Sequence, residues 1–324
     1  MAHYLVTGAT GYIGSMLIKE LYKRAEVDGT AVEITAIVRD MQRACQMLPE
    51  AVRLIEADIT DAVAMSSITG VFDYIIHCAA ATTSAYMVSN PVETADGIIL
   101  GTRNMLELAR GQQVKGMVYL SSMEVYGSVT DIGRPRREEE LGRVLLNSPR
   151  SCYPLGKRMA EHYCYIYSKE YGVSVKIARL AQTFGKGVRP EDNRVYMQFA
   201  RSVIEKRDIV LQTEGKSLGN YCDIEDAVQG ILTILESGAC GEVYNVVNEV
   251  NTMSIRDMAE LVAAQVAHGS IKVSVQVQDA GLTGYAPDTG LRLSGEKLRG
   301  LGWQPTKDLE DMYRDVIAQL QKGI

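Results

Sequence analysis

The sequence predicts an α/β protein: a Rossmann-type, doubly wound parallel sheet with a smaller mixed C-terminal substrate-binding lobe. Three observations predict it. A glycine-rich run, Val6-Thr7-Gly8-Ala9-Thr10-Gly11-Tyr12-Ile13-Gly14-Ser15, sits between an apolar strand pattern and a helical pattern. Short apolar runs then alternate with helical patterns through the first two-thirds of the chain. Those runs are continuously apolar, as expected of parallel strands covered on both faces.

In order, the strand runs are 4–6, 33–38, 53–56, 74–78, 116–121 and 174–178. Helical patterns lie between them at 15–24, 102–110 and 156–171, and one more strand is expected at 243–247. After Arg179 the pattern changes. Gly, Asn and charge interleave over 184–194, which reads as loop. A helix at 195–206, a short strand at 208–212, helices at 224–236 and 254–267, a strand at 271–278 and a helix at 308–321 follow. On this pattern residues 1–180 form the dinucleotide-binding domain, 220–248 return to it, and 181–324 mainly build the substrate lobe. No linker separates the two, so interleaved lobes are expected. The charge-dense run 134–140 reads as a solvated surface loop.

Composition narrows the class. The chain has 324 residues, 46% hydrophobic and 23% charged, as in ordinary globular enzymes. A net charge of −6 argues against general affinity for nucleic acid or an anionic membrane. The cysteines at 45, 78, 152, 164, 222 and 240 form no C-x-x-C pair, and the histidines at 3, 77, 162 and 268 have no ligand spacing. A reduced cytoplasmic setting is expected, with no metal site, signal peptide or membrane span.

The glycines at 8, 11 and 14 let the chain turn tightly and approach a diphosphate closely, with helix N–H groups facing the anion. Further on, Cys152-Tyr153-Pro154-Leu155-Gly156-Lys157 sets a phenol and an amine four apart, on one helical face. A phenol in water titrates at about pH 10. A neighbouring ammonium favours the phenolate, so Tyr153 is the candidate base for a sugar hydroxyl. Between these motifs, Leu120-Ser121-Ser122-Met123-Glu124-Val125-Tyr126-Gly127 begins where the fifth strand ends. A serine there can bind the same substrate oxygen as the tyrosine.

With these residues in place, the chain resembles an extended short-chain dehydrogenase/reductase of the nucleotide-sugar epimerase/dehydratase family. Gly8, Gly11, Gly14, Asp58-Ile59, His77-Cys78-Ala79-Ala80, Ser122, Tyr153, Lys157, Asp226-Ala227 and Leu301-Gly302-Trp303 carry the resemblance along nearly the whole length. It implies that Ser122, Tyr153 and Lys157 are the catalytic triad. It also implies that Gly8, Thr10, Gly11, Tyr12, Ile13, Gly14, Ala79, Ala80, Ala81 and Ser121 bind the cofactor, and that Asp58 and Ile59 contact adenine. Thr82 and Thr83 would face substrate, and Gln182 and Arg292 are further substrate candidates. Within the family the two residues after the triad serine report on chemistry: dehydratases often carry Asp-Glu or Ser-Glu, decarboxylases resemble the Ser-Glu form, and simple 4-epimerases carry small neutral residues. This chain has Met123-Glu124, which makes Glu124 a candidate base beside a transient 4-keto group. It departs from the family at Ile98 and Gln182, where many relatives have Asn, and at Gly219, where many have Arg.

Arg39, at the end of the second strand, suits a 2′-phosphate and favours NADP over NAD, with Arg43 in support; Asp40 keeps NAD open. The expected activity is redox-neutral sugar-nucleotide chemistry in which hydride leaves C4 and returns. A net NADPH-dependent reductase of a keto-sugar or small carbonyl compound is the alternative, and a non-catalytic cofactor sensor the alternative of another class. The helical patterns at 102–110 and 157–171 resemble those of a four-helix dimer interface, with Met159, Tyr163, Ile166 and Tyr167 suited to it. A homodimer is therefore expected.

Overall fold

The computed structural model describes residues 1–81, 83–129, 133–277 and 290–322. Its strands are, in chain order, β1 (Ala2–Thr7), β2 (Val32–Val38), β3 (Arg53–Glu56), β4 (Tyr74–His77), β5 (Gly116–Ser122), β6 (Val175–Leu180), β7 (Gln182–Phe184), β8 (Ile209–Leu211), β9 (Leu218–Asp223), β10 (Val243–Val246), β11 (Asn248–Ser254) and β12 (Val273–Val275). The helices are α1 (Tyr12–Val27), α2 (Met41–Met47), α3 (Ala62–Ser66), α4 (Ser84–Ser89), α5 (Pro91–Gln112), α6 (Cys152–Tyr171), α7 (Val195–Ile204), α8 (Ile224–Ser237), α9 (Ile255–Leu261), α10 (Glu296–Arg299) and α11 (Leu309–Gln321).

Seven strands form the main sheet in the order β10-β6-β5-β4-β1-β2-β3, every neighbouring pair parallel. Strand order reverses beside β1, between β1 and β4. That switch point opens a crevice at the carboxyl ends of the strands. Neighbouring strand residues point to opposite faces, and both faces are core. Leu5, Ile75 and Met117 join the layer under α5 and α6, while Val6, Ile76 and Val118 join the layer under α1 and α8. This explains the continuously apolar strands.

Two smaller sheets, β11-β9-β7 and β12-β8, lie after β6 in the chain. Their core is aromatic: Phe184 stacks on Tyr196 at 4.2 Å between ring centres and meets Tyr221 and Tyr313 edge-on. Between them, α8 and β10 return to the main sheet, with β10 pairing β6.

Several elements differ from the sequence expectation. Helix α5 begins at Pro91, eleven residues before the 102–110 pattern, because a proline at the first helical position gives up no hydrogen bond. Strands β7, β9 and β11 have no apolar run to announce them; they are held by pairing with one another. The 134–140 run is not simply a solvated loop. Glu138 is 8% exposed and accepts a 2.9 Å bond from the Asn245 amide, while Arg136 pairs through its backbone with Arg292 and Ser294. A buried carboxylate held by hydrogen bonds fixes the segment against β10. Among the described residues no helix is long and apolar enough to cross a membrane, and no three His, Cys, Asp or Glu side chains converge as metal ligands.

Asp223 illustrates the cost of such burial. One carboxylate oxygen caps α8 by accepting from the Glu225 amide at 2.8 Å; the other is buried without a partner. Burial pushes the carboxyl up to about 6, with Lys307, 3.8 Å away, only partly offsetting it. A raised carboxyl binds its proton more tightly in the folded state, so its penalty grows as pH rises from the unfolded value towards 6 and is full above that. Asp223→Asn keeps a capping oxygen and removes the charge. Denaturant unfolding at about pH 4 and about pH 7.5 should show the variant gaining on the parent by up to about 3 kcal/mol as pH rises. A difference independent of pH would show that the charge is not the cost.

Candidate active site

The glycine turn joins β1 to α1 at the switch point. Gly8 has φ +68°, and a Cβ there would lie 2.8 Å from the Ala79 nitrogen; a Cβ on Gly14 would lie 2.3 Å from the Gly8 carbonyl. The turn therefore packs directly on the segment after β4. Helix geometry leaves the N–H groups of Tyr12, Ile13 and Gly14 without intrahelical acceptors. No side chain caps them, and the first turn holds no acid. By contrast α2, α3, α8, α9 and α11 all begin with a side-chain cap. A bare, acid-free helix N-terminus of sixteen residues fits a diphosphate. Thr10 lies in the same turn, and Ala79, Ala80 and Ala81, all half-buried, form its neighbouring wall. Below it, His77 is fully buried between the Thr7 and Thr102 hydroxyls, at 2.7 and 3.2 Å. Burial drives its pKa down to about 3, so the imidazole is neutral.

At the far end of the crevice Arg39 is exposed, one residue past β2. Asp40 is committed elsewhere: its carboxylate accepts from the Arg43 amide at 2.9 Å and caps α2. Asp58 accepts from the Thr60 amide and hydroxyl, at 2.9 and 2.8 Å, which with Arg39 nearby holds its carboxyl below the usual range. Ile59 turns its side chain into the core against Gly101 of α5.

The chemistry-bearing residues meet at the ends of β5 and the start of α6. Ser122 is the last residue of β5, and its hydroxyl both accepts from the Glu124 amide at 3.2 Å and reaches the Tyr153 phenol. Tyr153 is the second residue of α6, ahead of Pro154 in a turn that needs no amide donor. Burial pushes the phenol up to about 12, Glu124 adds to this, and Ser122 and Arg150 oppose it. The expected effect of Lys157 on the phenol is not what the structure holds. Lys157 is buried, 5.8 Å from the centre of the Tyr153 ring, and its ammonium donates to the Leu120 carbonyl at 2.6 Å. Burial lowers it to about 8, with Glu161 opposing.

Two groups that no sequence motif indicated complete the cluster. Arg150, three residues before Tyr153, donates to Glu124 at 2.8 Å and to Ser84 of α4 at 3.0 Å, and its guanidinium lies 5.6 Å from the Tyr153 ring centre. Behind the strand, Ser121 donates at 2.5 Å to Glu161, which also takes both a 2.9 and a 2.7 Å bond from Arg179. Arg179 in turn donates to the Glu138 carbonyl and lies 5.0 Å from the Tyr126 ring centre. The Ser121 hydroxyl is thus spent on this buried network. Helical spacing is the one signal that could have found Glu161, one turn beyond Lys157.

Of the substrate candidates, Thr83 is exposed at the start of α4, and Gln182 is half-buried opposite Tyr221 in the β7-β9 pair. Arg292 is half-buried, in a segment that Asn220 ties down through the Leu291 carbonyl and Leu293 amide. Thr82 lies outside the described residues.

With this geometry in hand, three comparisons bear on the site. A family model described as "NAD dependent epimerase/dehydratase family" matches residues 4–247. Among curated proteins the chain is similar to UDP-glucuronic acid decarboxylase 1 of Xenopus tropicalis: 29% identical over 326 residues, covering 99% of this chain and 72% of that protein. Among solved structures it is similar to UDP-glucose 4-epimerase of Thermotoga maritima (TM-score 0.83, 23% identity, 99% of each chain). It is also similar to dTDP-glucose 4,6-dehydratase of Bacillus anthracis (TM-score 0.78, 19% identity, 99% of this chain and 97% of that one).

Proposed function

We propose, from the premise that this chain belongs to the NAD dependent epimerase/dehydratase family, that it converts a nucleotide-linked hexuronate through a transient 4-keto sugar, without net oxidation. The carrying observation is the convergence of Tyr153, Ser122, Glu124 and Arg150 at the carboxyl edge of β5. An oxidised nicotinamide, when bound, would supply a hydride acceptor and a positive charge. Tyr153 takes the proton of the C4 hydroxyl, Ser122 holds the oxygen, and Lys157 keeps a cation behind them.

A carboxylate on C5 is then β to the new ketone. Its C5–C6 bond breaks with release of carbon dioxide, the electron pair moves into the C4 carbonyl, and a proton returns to C5. Glu124, already hydrogen-bonded to a cation, is the acid–base group for that carbon. Arg150 supplies positive charge where the carboxylate sits. The curated decarboxylase relative supports this choice over elimination of water, for which Met123 offers no acid.

For the dinucleotide, Arg39 supports NADP over NAD, because the adjacent Asp40 is occupied by its cap. A homodimer through α5 and α6 is supported by Leu100 and Met159, each 39% exposed on those helices. Tyr167 does not contribute: it is buried and donates to Glu107 at 2.6 Å.

One experiment tests the reading. The dinucleotide that copurifies is identified by mass, and the enzyme is incubated with a panel of nucleotide sugars. Product lighter by one carbon dioxide, from a hexuronate only, is the expected result. Product lighter by one water, or of unchanged mass, replaces decarboxylation by dehydration or epimerisation. Stoichiometric consumption of NADPH makes the protein the reductase that Arg39 also suits.

A further inference from the structure

The segment after β7 lies across the glycine turn. Tyr12, at the first position of α1, shares its phenolic proton between the Gly185 and Lys186 carbonyls, at 3.1 and 3.2 Å. Arg189 donates to the Thr10 carbonyl at 2.7 Å, inside the turn itself. From the other side, Gln319 of α11 accepts from the Gly187 amide and donates to the Val188 carbonyl at 3.1 Å. Val188 is buried in the aromatic core, which anchors the middle of the segment. Two glycines make the crossing possible. Gly187, at φ +85°, lies against Met16 and Tyr12; Gly185, at φ +144°, leaves no room for a Cβ beside Asp223.

A chain segment more than 170 residues away is thus bonded to both sides of the bare helix N-terminus. Its bonds to the turn use a carbonyl and a phenol and leave the N–H groups of Tyr12, Ile13 and Gly14 unspent. A cation, Arg189, is delivered beside the place where a diphosphate would bind. We propose that 185–189 is a retention strap: Tyr12, Arg189 and Gln319 hold it over the bound dinucleotide and slow its release. This rests on the dinucleotide reading of the turn. Its chemical logic is that a redox-neutral cycle fails whenever reduced dinucleotide escapes between the two hydride transfers, so release must be slower than turnover.

The test measures release directly, by stopped-flow displacement of fluorescent NADPH or NADH by excess oxidised dinucleotide. Tyr12→Phe, Arg189→Ala and Gln319→Ala are compared with the parent, with melting curves to confirm that each is folded and Arg189→Lys as a conservative control. Loss of a neutral hydrogen bond should speed release about 3- to 10-fold, and loss of the Arg189 cation about 10-fold or more. Gln319 decides the matter, because it touches the strap and not the turn. Faster release in Gln319→Ala, together with the other two, supports a strap. Unchanged release in Gln319→Ala overturns it, whatever the other two show. A parent that binds neither dinucleotide overturns the reading of the turn instead. Should Gln319→Ala not fold, Gln319→Glu, which keeps the acceptor and loses the donor, takes its place under the same criterion.

Discussion

Tyr153→Phe should lower turnover by about 10²- to 10⁴-fold while leaving dinucleotide affinity within about threefold. The phenol meets the Ser122 hydroxyl at the carboxyl end of β5, from the first turn of α6. Phenylalanine keeps the ring packed on the core layer under α5 and α6, and removes only the oxygen. The environment sharpens the expectation. With burial and Glu124 holding the phenol near 12, Tyr153 is protonated in the dinucleotide-free protein at neutral pH. On the proposed reading, a bound oxidised nicotinamide would supply the positive charge that lets it act as a base. Steady-state turnover and equilibrium titration with dinucleotide check the two halves separately. Residual activity within tenfold of the parent, roughly, would remove Tyr153 as the base.

Glu124→Gln carries the second large effect. Product formation should fall by about 10²- to 10³-fold, with a 4-keto nucleotide sugar accumulating that borodeuteride traps at C4. The glutamine is isosteric and still accepts a hydrogen bond from Arg150, which is partly exposed and loses no buried partner. What disappears is the proton-carrying group next to the ketone. The first proton and hydride transfers do not need it, so label at C4 with little product separates this outcome from general damage. If product forms at the parent rate, Glu124 is only the partner of Arg150, and the proton for C5 comes from elsewhere.

Tyr153 and Glu124 were legible in the sequence to different degrees. Tyr153, Lys157 and Ser122 were legible because local geometry places them: a helical i, i+4 pair, and a strand end next to a turn. The glycine turn was legible from its spacing, although one of its glycines, Gly8, answers to the segment after β4 rather than to its own loop. Glu124 was visible as a residue, but its cation was not. Arg150 meets it from across the Met123–Tyr126 turn, and nothing in a one-dimensional pattern couples them. The strands of the main sheet and the cores of α1, α5 and α6 were likewise visible from their patterns, whereas the short helices α2, α3 and α4 and the strands β7, β9 and β11 were not. The residues of those three strands gain their conformation from one another.

Sequence alone indicated the class of fold, the glycine turn and the candidate base, because each leaves its mark in local spacing or in periodic burial. Tertiary structure alone decided which ionisable groups face one another. It turned Lys157 to a carbonyl rather than to the phenol, spent Asp40 on a cap and Ser121 on Glu161, and laid 185–189 over the turn. The physical reason is range. Propensity and the hydrophobic pattern act along the chain, but hydrogen bonds and charge act through space, between residues that only the finished packing brings together.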